Sequence, residues 1–265
     1  AYTGFWNTDE KNASFVCLSL TDENPDTPDE AKTASWRHVQ TGGFYWAGAY
    51  ACRDFVLVGT DDGQNGCTSE TGEILLLDAK TGELLGRQGG LRGDVRSSIC
   101  YDTKTDAYYA ASKGGEFIQI RLEQENGRWK LGTCRTLLLE NGTDSTPMST
   151  STPVVYNGRA YIGVSGSNQF GQYSGHNITV IDLKEWEIAY TVPTKGYPQT
   201  SGLLTTAYEG EDHKGYVYVY FFDNYTPGIL RVLRDSAGQD EPDTVYRTAE
   251  LYHGKSYSAA YALFT

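Results

Sequence analysis

The run Asp61-Asp62-Gly63-Gln64-Asn65-Gly66 packs several oxygen ligands into six residues, the chemistry of a calcium loop. It lacks the spaced carboxylates and the closing Glu of a full calcium loop. Calcium is possible there, and no cofactor is predicted. Paired carboxylates also do glycoside hydrolysis when they flank a bond. Asp61 and Asp62 are adjacent, so on a strand or turn they point apart. His38, His176, His213 and His253 show no ligand spacing for zinc. No Ser-His-Asp arrangement and no Gly-x-Ser-x-Gly elbow is legible. Tyr45 and Trp46 offer flat faces on which a sugar ring or other planar ligand can stack, although a Trp there equally suits packing between sheets.

The elements that must position these residues follow one repeated plan. In residues 43–87 a small, Tyr-rich run leads to a strand, a Gly/Asp turn, a second strand and an outer strand. Five segments repeat it, which indicates stacked or radial units. Four short strands per unit favour a β-propeller. With strands lettered A to D from axis to rim, the A strands are expected at 44–51, 95–101, 151–156, 202–208 and 257–264. The B strands fall at 55–59, 107–111, 160–164 and 216–221. The C strands fall at 15–20, 74–78, 117–122, 178–182 and 230–234, at intervals of 43 to 61 residues. That spacing is too short for four strands plus a crossover helix. Val, Ile, Tyr, Thr and Leu fill the runs, as strands prefer, and no long 3.6-residue apolar period occurs. The chain opens on a B-like strand and closes on an A-like one. The two ends could complete one blade and close a five-bladed ring, or the chain could be part of a larger propeller.

In a four-stranded blade the D-to-A and B-to-C loops share one face, where their residues converge on the axis. The first set brings Tyr45, Trp46, Arg96, Thr150, Gln199 and Lys255. The second brings Asp61, Asp62, Lys113, Ser165, Asp223 and Asn224. Such a mixture of aromatic, charged and amide groups suits a concave ligand site. Asp61 with Gly63 also reads as a plain B–C turn.

Charge and cysteine usage bound the class. The 265 residues carry 34 acids against 22 bases, a net charge of −12, which disfavours nucleic acid as a partner. No apolar stretch is long enough to span a membrane, and no signal peptide is visible. Five cysteines at wide spacing argue against a disulfide framework. Cys17, Cys52 and Cys100 read as buried small hydrophobes, and Cys67 as the exposed thiol. The acidic, turn-rich stretches 21–34, 141–146 and 235–243 read as solvated loops.

The segment `EILLLDAKTGELL` resembles the repeat of quinoprotein-like propellers, in which a strand runs into Asp-x-x-Thr-Gly and then an outer strand. Asp78, Thr81 and Gly82 match it, and a degenerate copy surrounds Asp182 and Trp186. Their role is expected to be structural, with Gly82 accepting a positive φ and the side chains bonding turn amides. The runs `STSTPVVYNGRAYIGVSG`, `KGYPQTSGLLTTAYEG` and `GYVYVYFFDNYTPGILRVLRD` are more specifically similar to propellers in large secreted or surface-attached proteins of anaerobic Gram-positive bacteria. That likeness implies an extracellular or cell-surface location and neighbouring extracellular domains. It also implies further blades, from a longer chain or a second one. A true quinoprotein dehydrogenase would hold its quinone between a tryptophan and, in the alcohol-oxidising type, a ring of two adjacent cysteines. This chain has no adjacent cysteine pair. The residues favour a non-catalytic module that recognises a surface glycan or protein, or that spaces and displays its neighbours. A quinoprotein-like oxidoreductase or a carbohydrate-active enzyme with an axial site is the alternative.

Overall fold

The computed structural model describes residues 1–7, 12–21, 24–27, 31–63, 70–169, 172–225 and 228–247. They form five antiparallel sheets that follow one another along the chain. The first holds β1 (Tyr2–Gly4), β2 (Asn12–Leu18) and β3 (Ala34–Thr41). The second holds β4 (Tyr50–Ala51), β5 (Phe55–Gly59), β6 (Gly72–Asp78) and β7 (Leu84–Leu91). The third runs through β8 (Cys100–Asp102), β9 (Ala107–Ala111), β10 (Glu116–Glu125) and β11 (Arg128–Leu138). The fourth comprises β12 (Pro147–Met148), β13 (Val154–Tyr156), β14 (Arg159–Gln169), β15 (Gln172–Asp182) and β16 (Glu187–Pro193), with both β12 and β13 on β14. The fifth is β17 (Leu203–Thr205), β18 (Tyr216–Asp223), β19 (Ile229–Ser236) and β20 (Thr244–Arg247).

The period-2 geometry of strands explains why these sheets stack face to face. In β5, Val56 and Val58 face the first sheet and pack with Phe15 and Trp36. The alternate residues Phe55 and Leu57 face the third sheet, with Tyr108, Ala110 and Ile118. The third sheet turns Ala107, Tyr109 and Phe117 the other way, onto Ile162 and Val164. The fourth then turns Tyr161, Ile178 and Val180 onto Val217, Val219 and Phe221 of the fifth. Sheets buried on both faces read as near-continuous apolar runs, such as Phe-Val-Leu-Val and Ile-Leu-Leu-Leu. This radial stack of three- to five-stranded blades is a β-propeller.

The Asp-centred turns are built as expected. Asp78 Oδ1 accepts the Lys80 amide at 2.9 Å, the Thr81 amide at 2.8 Å and the Thr81 hydroxyl at 3.0 Å. Gly82 sits at φ 71°. The degenerate copy keeps the same plan. Asp182 Oδ1 accepts the Lys184 and Glu185 amides, and Trp186 takes the left-handed position at φ 61°. The Trp186 indole is held by Arg135, whose guanidinium lies 3.8 Å from the ring centre, and by its own bond to the Thr136 carbonyl at 3.2 Å.

The B and C strands lie where the sequence placed them, but the A strands are much shorter. Residues 44–49, 95–99, 151–153 and 206–208 are not strand. Trp46 at φ 56° breaks the first, and Pro153 has no amide to donate in the third. Asp94 and Arg96 are tied into side-chain bonds around the second. The last expected A strand, 257–264, lies outside the described residues. Two of the expected solvated loops are largely exposed but anchored at their first residue. Asn141 is buried and bonds Ser145 and Thr143. Asp235 is fully buried, accepting the Tyr161 hydroxyl at 2.6 Å and the Tyr190 hydroxyl at 2.7 Å. Cys17, Cys52, Cys100 and Cys134 are free thiols and only partly buried; Cys67 lies outside the described residues.

Leu76 is wholly buried between the second and third sheets. Leu76→Ala is expected to lower unfolding stability by about 2–5 kcal/mol, measured by urea denaturation. A loss below about 1 kcal/mol would contradict tight packing at that interface.

Candidate functional site

The expected axial residues meet around a buried chain of charges. Asp61 closes β5's exit turn, its Oδ1 accepting the Gly63 amide at 2.8 Å and the Trp6 indole N–H at 3.0 Å. Its Oδ2 accepts Arg96 Nε at 2.5 Å. Arg96 reaches Asp94 Oδ2 at 3.1 Å, and Lys113 Nζ stands 3.5 Å from the same oxygen. Asp94 Oδ1 takes the Asp62 amide at 3.0 Å. Asp61, Asp94, Arg96 and Lys113 are all buried. Asp94 was not legible as a site residue; only its packing beneath the second and third blades brings it here. Burial, then the Asp61 charge, pushes the Asp94 carboxyl up to about 7 against the pull of Arg96.

The carboxylates of Asp61, Asp62 and Asp94 each present an oxygen within 4.8 Å of the others. As a calcium site this set fits poorly. Its oxygens already bind Arg96, Lys113, Trp6 and backbone amides, so the counter-charge comes from within the protein. Asp61 and Asp62 also line a groove of about 510 Å³ with Gln40, Thr41, Thr71, Glu73 and Arg87. There Glu73 is bonded by Gln40 and Arg87, and Asp62 by the Thr71 hydroxyl.

Above the charges sits an aromatic step. The Arg96 guanidinium lies 4.4 Å from the centre of the Tyr45 ring. Tyr45 in turn stacks on Trp46 at 4.6 Å with 19° between planes. Trp46 is 54% exposed, on a backbone at φ 56°. Asp106, Asn126 and Asn157 are also left-handed, but short polar side chains enter that region readily. A bulky, solvent-facing tryptophan there is strained without burial to offset it, a pattern associated with functional sites.

Trp46 borders a pocket of about 250 Å³, whose other walls are Arg96, Ser98, Thr150, Thr152, Gln199, Thr200 and Ser201. Four of the expected residues therefore line one cavity: Trp46, Arg96, Thr150 and Gln199. Ser98, Thr152, Thr200 and Ser201 were missed. Small hydroxyl residues carry no distinguishing signal in a Ser/Thr-rich sequence. The far wall is fixed by a chain of bonds. Asn224 Nδ2 donates to Gln199 Oε1 at 3.2 Å, Gln199 Nε2 donates to Thr150 Oγ1 at 3.2 Å, and the Thr150 amide donates to Tyr197 Oη at 2.6 Å.

Three expected residues are buried and not among the described residues that line the pocket. Lys113 is buried against Asp94 and lines no wall of the pocket. Asp223 is buried and held by Arg231 at 2.9 Å. Ser165 is wholly buried, donating to the Gly166 carbonyl at 3.1 Å and standing 2.9 Å from His176 Nδ1. Ser165, His176 and Asp223 approach one another, but the hydroxyl cannot meet a substrate and the carboxylate is committed to Arg231. Burial lowers the His176 imidazole, with Asp223 acting the other way. Lys255 lies outside the described residues. The four described cysteines pack against the apolar clusters between blades, so among the described residues the adjacent-cysteine ring of alcohol-oxidising quinoproteins has no counterpart in this pocket.

No protein-family model matches the chain, and a search of curated proteins finds no match. Solved structures do match. Saccharomyces cerevisiae Sqt1 aligns over 91% of this chain and 56% of its own, with a TM-score of 0.54 and 12% identity. The β-propeller domain of Cps50 (Swd1) from Myceliophteria thermophila aligns over 94% of this chain and 71% of its own, at 0.50 and 13%. The quinohemoprotein alcohol dehydrogenase ADHIIG of Pseudomonas putida HK5 aligns over 77% at 0.47 and 13%, and this chain spans only 34% of it. At these identities the likeness is one of fold.

The folded protein holds the Asp94 proton to about 7, whereas an unfolded chain releases it near an ordinary carboxylate value. Stability from this group is therefore fully present below about pH 4 and lost as pH rises through about 7. The stability of the wild type minus that of Asp94→Asn, from urea curves at a series of pH values, should fall across that window. A difference that stays flat or rises would contradict this account.

Proposed function

This chain is a β-propeller, and we propose that it is a non-catalytic recognition module of an extracellular or cell-surface protein, binding a surface ligand at the axial mouth. The carrying observation is Trp46, a strained and exposed indole at the edge of a pocket otherwise walled by hydroxyls, an amide and one buried guanidinium. Ligand pockets usually pair apolar walls with a few converging polar groups; this one keeps a single aromatic wall and is otherwise polar, which favours a polar ligand. The strain in Trp46 costs about 1–2 kcal/mol, and the loop keeps it with the indole presented outward.

The non-catalytic reading is supported by where the acids lie. Asp61 and Asp94 are buried beneath Arg96 and held by cations, and Asp223 is held by Arg231. Glycoside hydrolysis needs two carboxyl groups facing the scissile bond; none lines this pocket among the described residues, and those of the neighbouring groove are bonded by Arg96, Arg87, Gln40 and Thr71. Location at a cell surface rests on the resemblance of the blade sequences to surface-attached propellers of Gram-positive anaerobes.

The test is binding of the fluorescently labelled chain to intact Gram-positive cells and to their isolated walls. Trp46→Asn removes the indole while suiting the left-handed backbone. It should weaken retention at least about tenfold, with an unchanged circular-dichroism spectrum. Retention indifferent to Trp46, or turnover of a saccharide or dye by the wild type, would sink the proposal.

A further inference from the structure

If the axial pocket is a recognition site, its walls also specify the class of ligand. Among the described residues, Arg96 is the one ionic side chain lining it. Its guanidinium is buried, bonded to Asp61 at 2.5 Å and Asp94 at 3.1 Å, and covered on one face by Tyr45. The charges packed around it are Asp61, Asp62 and Asp94 against Arg96 and Lys113, so an anionic ligand meets no net positive field. A carboxylate or phosphate is normally held by an Arg free to offer its planar fork. This Arg spends that fork inward.

The remaining groups suit an uncharged ligand rich in hydroxyls. Ser98, Thr150, Thr152, Thr200 and Ser201 each carry a hydroxyl that both donates and accepts, and Gln199 adds an amide. Thr200 is the most telling. It is 3% exposed, and its hydroxyl has no hydrogen-bond partner. Buried polar groups are normally paired. The oxygen is shielded from solvent as it stands, but the side chain lines the pocket, and a turn about χ1 would bring the hydroxyl to a ligand without giving up an internal bond. The indole of Trp46, backed by Tyr45 at 4.6 Å, lines the same pocket. One wall is therefore flat and apolar, and the others are hydroxyl-lined. A pyranose has the same division, with an apolar C–H face and a rim of hydroxyls. The volume of about 250 Å³ lies below the roughly 300–1,000 Å³ of pockets for drug-sized ligands, which suits one ring.

We infer that the axial pocket takes a single neutral sugar residue, its C–H face on Trp46 and its hydroxyls toward Thr200, Gln199 and Thr152. The inference rests on the recognition reading and adds the ligand class. The test is saturation-transfer NMR of the intact chain with methyl glycosides of neutral hexoses and N-acetylhexosamines, alongside those of glucuronic and sialic acid. A neutral glycoside should bind with roughly millimolar affinity, unaffected by salt. Trp46→Asn should weaken it at least about tenfold, and the near-isosteric Thr200→Val by about three- to tenfold with no loss of melting temperature. Preference for the acidic sugars with salt-sensitive affinity would overturn the ligand class, as would full retention of binding in Thr200→Val and Trp46→Asn. If no glycoside of either kind binds, the inference fails. Trp46-dependent retention on cells would then show that the recognition reading survives it.

Discussion

The second, third and fourth blades are apolar on both faces, and that constraint organises the molecule. A strand such as Phe55–Gly59 sends alternate side chains to opposite sides, and all five residues are buried. Such a sheet cannot stand with one face in water, as many antiparallel sheets do. It must be covered twice. Four successive interfaces among the described residues cover the three middle blades on both faces, with alternate residues of each strand going to opposite sides. Burial of apolar area at about 25 cal/mol per Å² supplies the drive, and the strand period supplies the direction.

The axial end faces a different problem, because loops converge there carrying charge. The structure answers it with the linked series Trp6, Asp61, Arg96, Asp94 and Lys113, which spans the first three blades. Buried ion pairs of this kind bring little net stability, since desolvation offsets the Coulomb gain. Their effect is to fix geometry. Arg96 is held from below by two carboxylates and presents its face to Tyr45, which supports Trp46. The chain of bonds from Asn224 through Gln199 to Thr150 fixes the opposite wall from the last two blades. The pocket between them is thus lined by loops anchored on separate sheets. Loops that carry function on a rigid scaffold are the common arrangement.

Left-handed residues separate structural from presented side chains. Gly82 and Trp186 occupy equivalent places in the Asp-centred turns, and Trp186 is held by Arg135, Phe117 and a backbone carbonyl. Trp46 has the same backbone and far less cover. Two tryptophans of similar strain therefore differ in what holds them: the first is packed into an inter-blade seam, the second shown to solvent.

Much of this was legible in the sequence, for a physical reason. Strand periodicity and turn chemistry are local, so the B and C strands, the Asp78 turn and the repeat of four-stranded units could be read directly from residue order. The A strands could not be read well, because near the axis the backbone yields to packing, to Trp46 at φ 56° and to Pro153. Convergence of Trp46, Arg96, Thr150 and Gln199 on one face followed from topology alone. Burial did not. That Asp94 joins Asp61 beneath Arg96, that Ser165 and Asp223 are sealed inside, and that Asn141 and Asp235 are core groups depend on which blade lies against which. Sequence fixes what a strand can do locally; only the stacked blades decide which polar groups are shut in and paired, and which are left at the mouth of a pocket.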